Sequence, residues 1–242
     1  MGCGNKMIPK IIHYIWLGKK EKSKLHQKVL QSWYHYAPDY QIIEWNENNI
    51  GNVDNLFFKE AMKNQKYAFA SDYFRLYVLK KYGGIYMDLD MILNDNPQKV
   101  IKNFDLVFSI QDPQVIFQTS FIAANKNNEF INKCLNVYDH LTFEKNKLIP
   151  NSELLTPILL KMYPFKHEDK TQVIDNVCAY SSNILLQPSF HSIAVHIGEK
   201  TWTKLNYRDK LRIALRQKIS NRFEAGIFKI FQDIGRKILK KE

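Results

Sequence analysis

The chain has 242 residues with ordinary apolar and charged fractions, 45% and 24%, and a net charge of +11. That length fits one domain or one domain with an appendage, and no run of about eighteen apolar residues indicates a transmembrane helix. Its three cysteines, Cys3, Cys134 and Cys178, match neither a disulfide framework nor a zinc spacing, so a reducing cytoplasm is the expected compartment.

Ile8 to Gly18 is rich in β-branched and aromatic residues and predicts a buried first strand. It contains Pro9, Lys10 and His13 and no small-residue cleavage site, unlike a secretory signal. Trp16, at its end, fits either the core or a ligand stack, and His13 fits a satisfied core histidine. Leu25, Val29, Leu30, Trp33 and Tyr34 recur at helical spacing over residues 22–36, and Ala37-Pro38-Asp39 ends that helix. A short strand at Tyr40 to Trp45 and a short helix at Asn55 to Asn64 follow. The alternation predicts an α/β fold whose nucleotide-binding half has a largely parallel sheet.

Tyr67 to Lys81 is apolar on almost every face, as an interior helix is. Gly83 and Gly84 stop it. In the strand expected next, Ile85, Met87, Leu89 and Met91 fall on a core side, and Tyr86, Asp88 and Asp90 on the other. Adjacent carboxylates repel unless a cation sits between them, and phosphate-binding divalent cations commonly take one or two carboxylates. A solvated turn with two acids remains open at this point. Asp72 and Arg75, at i and i+3 on the helix, either pair with each other or serve a ligand.

Leu106 to Ile110 and Ser120 to Ala124 predict further strands, and residues 128–140 and 152–162 further helices. Asp112, Asn125 and Glu153 beside them read as cap or loop residues. Ala194 to Trp202 reads as an alternating strand that delivers His196 to its end, before a glycine loop and Trp202. From Lys204 to Glu242 there are twelve Lys or Arg against four acids, so this segment carries +8 of the +11. Leu211, Leu215, Ile219, Phe223, Ile227, Phe231, Ile234 and Ile238 recur there at near-helical spacing. The pattern fits a basic amphipathic helix on an anionic membrane or a helix pair packed on the domain. Without a recognition module, nucleic acid is not an expected partner.

Ser71-Asp72-x-x-Arg75, then Gly83-Gly84-Ile85-Tyr86-x-Asp88-x-Asp90, resembles the DXD glycosyltransferases of family 32. These include yeast-type mannosyltransferases and bacterial capsular-polysaccharide enzymes, and are more distantly similar to the clostridial glucosylating toxins. The opening Ile8-Pro9-Lys10-x-Ile12-His13-x-x-Trp16-x-Gly18 matches the same pattern. The resemblance implies a GT-A fold, a Rossmann-like mixed sheet flanked by helices, over residues 7–205, with 206–242 as a basic helical tail. It implies transfer of a sugar from a nucleotide-diphosphate donor, with uridine the expected base, to a glycan or lipid-linked glycan, with retention at the anomeric carbon.

Mn2+ or Mg2+ would be held by Asp88, Asp90 and His196. Ile15 and Trp16 would border the nucleotide. Ser71, Asp72 and Arg75 would hold the sugar and Tyr86 the nucleotide or a phosphate; Thr201 would meet a phosphate oxygen and Trp202 cover the donor. Asp72, Arg75, Asp88 and Asp90 form the expected catalytic set. Ile197 stands where the family often has a second histidine, and Leu155-Thr156-Pro157 departs from its Thr-Gly-Pro. The expected location is cytoplasmic, peripheral on the inner face of the membrane. A non-catalytic sugar- or membrane-binding module and an Asp-x-Asp phosphotransferase are the alternatives. The latter group wants a Thr or Val and a glycine that Ile92 and its neighbours do not supply.

Overall fold

The computed structural model describes residues 7–111, 116–144, 149–199 and 206–239. The first apolar run forms β1 (Ile11–Ile15), followed by α1 (Lys24–Tyr36), β2 (Gln41–Trp45), α2 (Leu56–Lys63) and α3 (Tyr67–Tyr82). Then come β3 (Gly84–Met87), β4 (Met91–Leu93), α4 (Gln98–Ile101), β5 (Leu106–Ser109) and β6 (Gln118–Ala124). α5 (Glu129–Asp139), α6 (Asn151–Met162), β7 (Gln172–Ile174), β8 (Val177–Tyr180), α7 (Ser182–Leu185) and β9 (Ala194–His196) precede two tail helices, α8 (Tyr207–Arg216) and α9 (Arg222–Leu239).

Seven strands form one sheet in the order β2-β1-β3-β6-β5-β8-β7. β1 pairs parallel with β2 and β3, but β6 runs antiparallel to both β3 and β5. The parallel character expected from the alternation therefore holds in the N-terminal half, and the whole sheet is mixed. Both faces are covered, and accordingly β3 and β5 are buried at every position and β6 at all but Gln118. Tyr86, Leu106, Phe108, Ile122 and Ala124 join one core with α2, α3 and α5. Ile85, Met87, Val107, Phe121 and Ala123 join the other, with α1 and β4.

This corrects the expected strand. It stops at Met87, Tyr86 is as buried as Ile85, and the alternation does not run on to Met91. The Met91 N–H donates to the Asp88 carbonyl at 3.0 Å, so Asp88 to Asp90 is a turn out of the sheet. The chain then enters a separate two-stranded ladder in which Met91 faces His196. Trp33 on α1 donates its indole N–H to the Met91 carbonyl at 2.7 Å, and Ser32 Oγ accepts from Leu93 N.

α3 ends because two glycines follow in conformations closed to other residues. Gly83 and Gly84 have φ of 68° and 102°. A Cβ on Gly84 would lie 2.6 Å from the Ile11 carbonyl oxygen, and one on Gly83 would lie 2.8 Å from the Lys126 nitrogen. His13 locks the junction. Its Nδ1 accepts from Trp45 Nε1 at 3.1 Å, so its Nε2–H donates to the Gly83 carbonyl at 2.9 Å. Burial pulls its pKa down to about 4, against the Gly83 bond. His13 is thus the satisfied core histidine of the sequence reading.

The tail packs on the domain through Ile213, Ile219 and Ala225, which are all buried. Arg216 donates to the His196 carbonyl at 2.6 Å, and Arg222 pairs with Asp95 at 2.8 Å. Cys134 and Cys178 are buried free thiols. Substituting alanine at Gly84 should lower the thermal midpoint by several degrees more than at Gly51. Gly51 has a φ of 67° but open space around it, so it should show only the ~1–2 kcal/mol backbone strain. Equal losses at the two positions would contradict the close approach at Gly84.

Candidate active site and metal centre

The site is assembled where α3, β3 and the turn after it meet β9. One turn of α3 presents Ser71, Asp72 and Arg75, and the end of β3 presents Tyr86 and Asp88. The Arg75 guanidinium is buried yet lies 2.8 Å from the Asp72 carboxylate and 3.4 Å from that of Asp88. It donates to the Thr119 carbonyl on β6 at 2.9 Å and lies 4.6 Å from the centre of the Tyr86 ring. Burial alone would favour loss of its proton; Tyr86, Asp88 and Asp72 outweigh that and raise its pKa.

The Tyr86 hydroxyl donates to Asp88 Oδ1 at 2.7 Å, and Ser71 Oγ lies 3.3 Å from that hydroxyl. Of the two expected readings of Asp72 and Arg75, the mutual pair is present, and Arg75 also reaches the first acid of the motif. Asp72 is pushed up to about 6 by burial and, less, by Asp88, against the pull of Arg75.

Across from Asp88, the β4–β9 ladder brings Asp90 to His196. One ligand atom from each of Asp88, Asp90 and His196 lies within 4.8 Å of the others. His196 Nε2 lies 3.2 Å from Asp90 Oδ2, which also accepts from the backbone N–H groups of Gly198 and Glu199 at 3.2 and 2.8 Å. Burial acts to raise the Asp90 pKa, but His196 and the two N–H groups hold it below the usual carboxylate range. Burial acts to lower the His196 pKa, and Asp90 more than offsets it.

Two carboxylate oxygens and one imidazole nitrogen, with no sulfur, form a donor set compatible with a hard divalent cation such as Mn2+ or Mg2+. The charge balance points the same way. Asp72, Asp88 and Asp90 face one guanidinium and one imidazole, so a polyanionic ligand would be repelled without an added cation.

Ile15 and Trp16 lie at the C-terminal end of β1. Trp16 borders a cavity of about 490 Å³ with Lys19, Lys22, Glu44, Asn46 and Glu47. Its ring meets His26 edge-on at 4.7 Å, and its N–H donates to the Lys20 carbonyl at 2.7 Å. Thr201 and Trp202 lie outside the described residues, as does Asp112.

Asn125 bonds Asp105 at 2.9 Å, an ordinary loop contact. Glu153 sits exposed in the first turn of α6.

Three contributors escaped the sequence reading. His26 Nδ1 accepts from the Ser23 N–H at 3.1 Å, so its Nε2–H points to Glu199 at 2.9 Å. That links the Trp16 cavity to the loop that grips Asp90. Thr119 anchors Arg75. Asn151 donates to the Asp72 carbonyl at 3.2 Å and accepts from the Tyr138 hydroxyl at 3.1 Å. Only the Ser23–His26 cap has any local signature.

Residues 23–106 match the glycosyltransferase sugar-binding region containing the DXD motif. An uncharacterized glycosyltransferase of Acanthamoeba polyphaga mimivirus is 34% identical over 100 residues, 37% of this chain and 38% of that protein. A toxin of Photorhabdus asymbiotica is 27% identical over 206 residues, 65% of this chain but 7% of the toxin. The chain thus spans well under half the length of these relatives. The solved PaToxG glycosyltransferase superposes with a TM-score of 0.52 at 27% identity, covering 65% of this chain and 70% of that one. The fold is that of the GT-A glycosyltransferases.

The raised Asp72 carboxyl yields a stability test. A folded-state pKa near 6 means that this group favours folding at low pH and loses that contribution as pH rises through about 6. Asp72→Asn, neutral throughout, should gain stability relative to the native chain between about pH 5 and about pH 8, on the order of 1 kcal/mol. Chemical denaturation at several pH values measures it. A variant that instead loses relative stability as pH rises would mean that the Arg75 pairing outweighs burial.

Proposed function

We propose that this chain, which carries a DXD-type glycosyltransferase region on a GT-A fold, is a metal-dependent retaining glycosyltransferase. In this reading it moves a sugar from a nucleotide-diphosphate donor, a uridine one by preference, to a hydroxyl of a glycan or glycolipid in bacterial surface or capsular polysaccharide synthesis. The observation that carries the reading is the joining of Asp88, Asp90 and His196 within 4.8 Å, next to a buried Arg75.

Asp88, Asp90 and His196 would hold the divalent cation, which when bound supplies Lewis-acid stabilisation of the charge that builds on the departing diphosphate. The Gly198 and Glu199 N–H groups keep Asp90 ionised and aimed. Tyr86 orients Asp88 through its hydroxyl. Arg75, held cationic by its neighbours, offsets phosphate charge, while Asp72 and Ser71 stand one helical turn away to bind sugar hydroxyls. Trp16 and the polar cavity beside it suit the nucleoside. Thr201 and Trp202 keep the roles that the motif assigns to them within this proposal.

A phosphotransferase reading is less well supported. The first acid, Asp88, is already engaged by the Tyr86 hydroxyl and by Arg75 instead of standing free as a nucleophile. A non-catalytic sugar-binding module would not need the paired acids to converge on an imidazole.

Release of nucleoside diphosphate from a panel of nucleotide sugars, with Mn2+ or Mg2+, tests the proposal. One donor should turn over, a chelator should abolish the signal, and Asp90→Asn should reduce it by a hundredfold or more, about the loss seen when one key electrostatic group is removed. No turnover of any donor, or full activity in Asp90→Asn, would overturn it.

A further inference from the structure

The two tail helices dock on the domain with one side and leave an apolar side uncovered. On α9, Phe223, Ile230, Phe231 and Ile234 are exposed by 67%, 48%, 70% and 49%. Their spacing of seven, one and three residues places them on one helical stripe, while Ala225 on another face is buried. On α8, Tyr207, Leu211 and Leu215 are exposed at i, i+4 and i+8, with Arg208 and Lys210 exposed between them. Lys218, in the connecting turn, is exposed as well.

We propose that α8 and α9 form a docking surface for an anionic lipid bilayer, with the apolar stripe in the acyl boundary and the cations at the headgroups. Charge selects this occupant. From Asn206 to Ile234 the described tail carries seven Lys or Arg against three acids, so a second copy of the chain would bring two positive surfaces together. Nucleic acid would satisfy the cations but leave Phe223, Phe231 and Ile234 in water.

A bilayer with acidic headgroups satisfies both, as basic amphipathic helices do when they lie in the interface. Among the described residues no helix is long and apolar enough to cross a membrane, so the surface lies on the bilayer. Arg216 at the end of α8 holds the His196 carbonyl, which ties this surface to the strand bearing the candidate metal ligand. A lipid-linked acceptor would then be presented close to the site.

The test is co-sedimentation of the full chain with vesicles of phosphatidylcholine alone or with phosphatidylglycerol added. The native chain should pellet with the anionic vesicles, stay in solution with the neutral ones, and be released by high salt. Phe231→Ser with Ile234→Ser should weaken binding about tenfold or more. Both residues are exposed, so the thermal midpoint should be unchanged; truncation at 206 would instead strip the buried Ile213, Arg216 and Ile219. Failure to pellet with anionic vesicles, equal pelleting with neutral ones, or undiminished binding by the double variant would each overturn the proposal. So would a native dimer in size-exclusion chromatography that the double variant dissolves.

Discussion

The Arg75 guanidinium is the interaction on which the rest of the site depends. It is a buried cation on a largely apolar helix, and such a charge is tolerated only when its donors are used and its field is answered. Asp72 and Asp88 answer the field, the Thr119 carbonyl takes a hydrogen, and the Tyr86 ring lies against the guanidinium. Three elements, α3, β3 with the turn after it, and β6, are thereby fixed relative to one another. Removing the cation would leave two carboxylates facing each other across a desolvated gap, at a cost of about 3–5 kcal/mol typical of broken buried pairs. The first acid of the motif is thus oriented from behind, through both Arg75 and the Tyr86 hydroxyl.

The second acid is oriented differently. Asp90 sits in the turn that leaves the sheet, and its carboxylate is gripped by the Gly198 and Glu199 N–H groups and by His196. The ladder that brings these partners is only three residues long on each side, so it relies on its surroundings. Trp33 and Ser32 hold β4, Arg216 of α8 holds the end of β9, and the His26–Glu199 bond holds the loop beyond. The sheet provides a rigid platform for Asp88, and the small ladder adds a counterpart that depends on α1 and the tail. The same arrangement concentrates negative charge at one point, which costs stability in the absence of a cation and suits a diphosphate ligand in its presence.

Much of this was legible in the sequence because its signals are local. The apolar run and the paired glycines marked α3 and its end. The spacing of Ser71, Asp72, Arg75, Tyr86, Asp88 and Asp90 singled out residues that the fold brings together, and Ala194 to His196 read correctly as a strand. The end of β3 at Met87 was not legible. Apolar alternation continues to Met91, and only the Met91–Asp88 turn bond and the second ladder break it. The edge pair β7 and β8 was missed because its strands are three and four residues long, too short for periodicity to register. The His26–Glu199 contact spans 173 positions, Thr119 acts through a backbone carbonyl that any residue offers, and the Asn151 side-chain amide reaches the Asp72 carbonyl 79 positions away. Such contacts exist only once the chain has folded.

The central claim is that Asp88, Asp90 and His196 are the ligands of one divalent cation. Titration of the chain with Mn2+, followed by the electron paramagnetic resonance signal of the free ion in the presence of uridine diphosphate, tests it most directly. The account predicts one bound ion per chain in the native protein, with affinity reduced about tenfold or more in both His196→Ala and Asp90→Asn, as loss of a ligand or of its support does elsewhere. Absence of saturable binding, or equal affinity in the native chain and both variants, would contradict it.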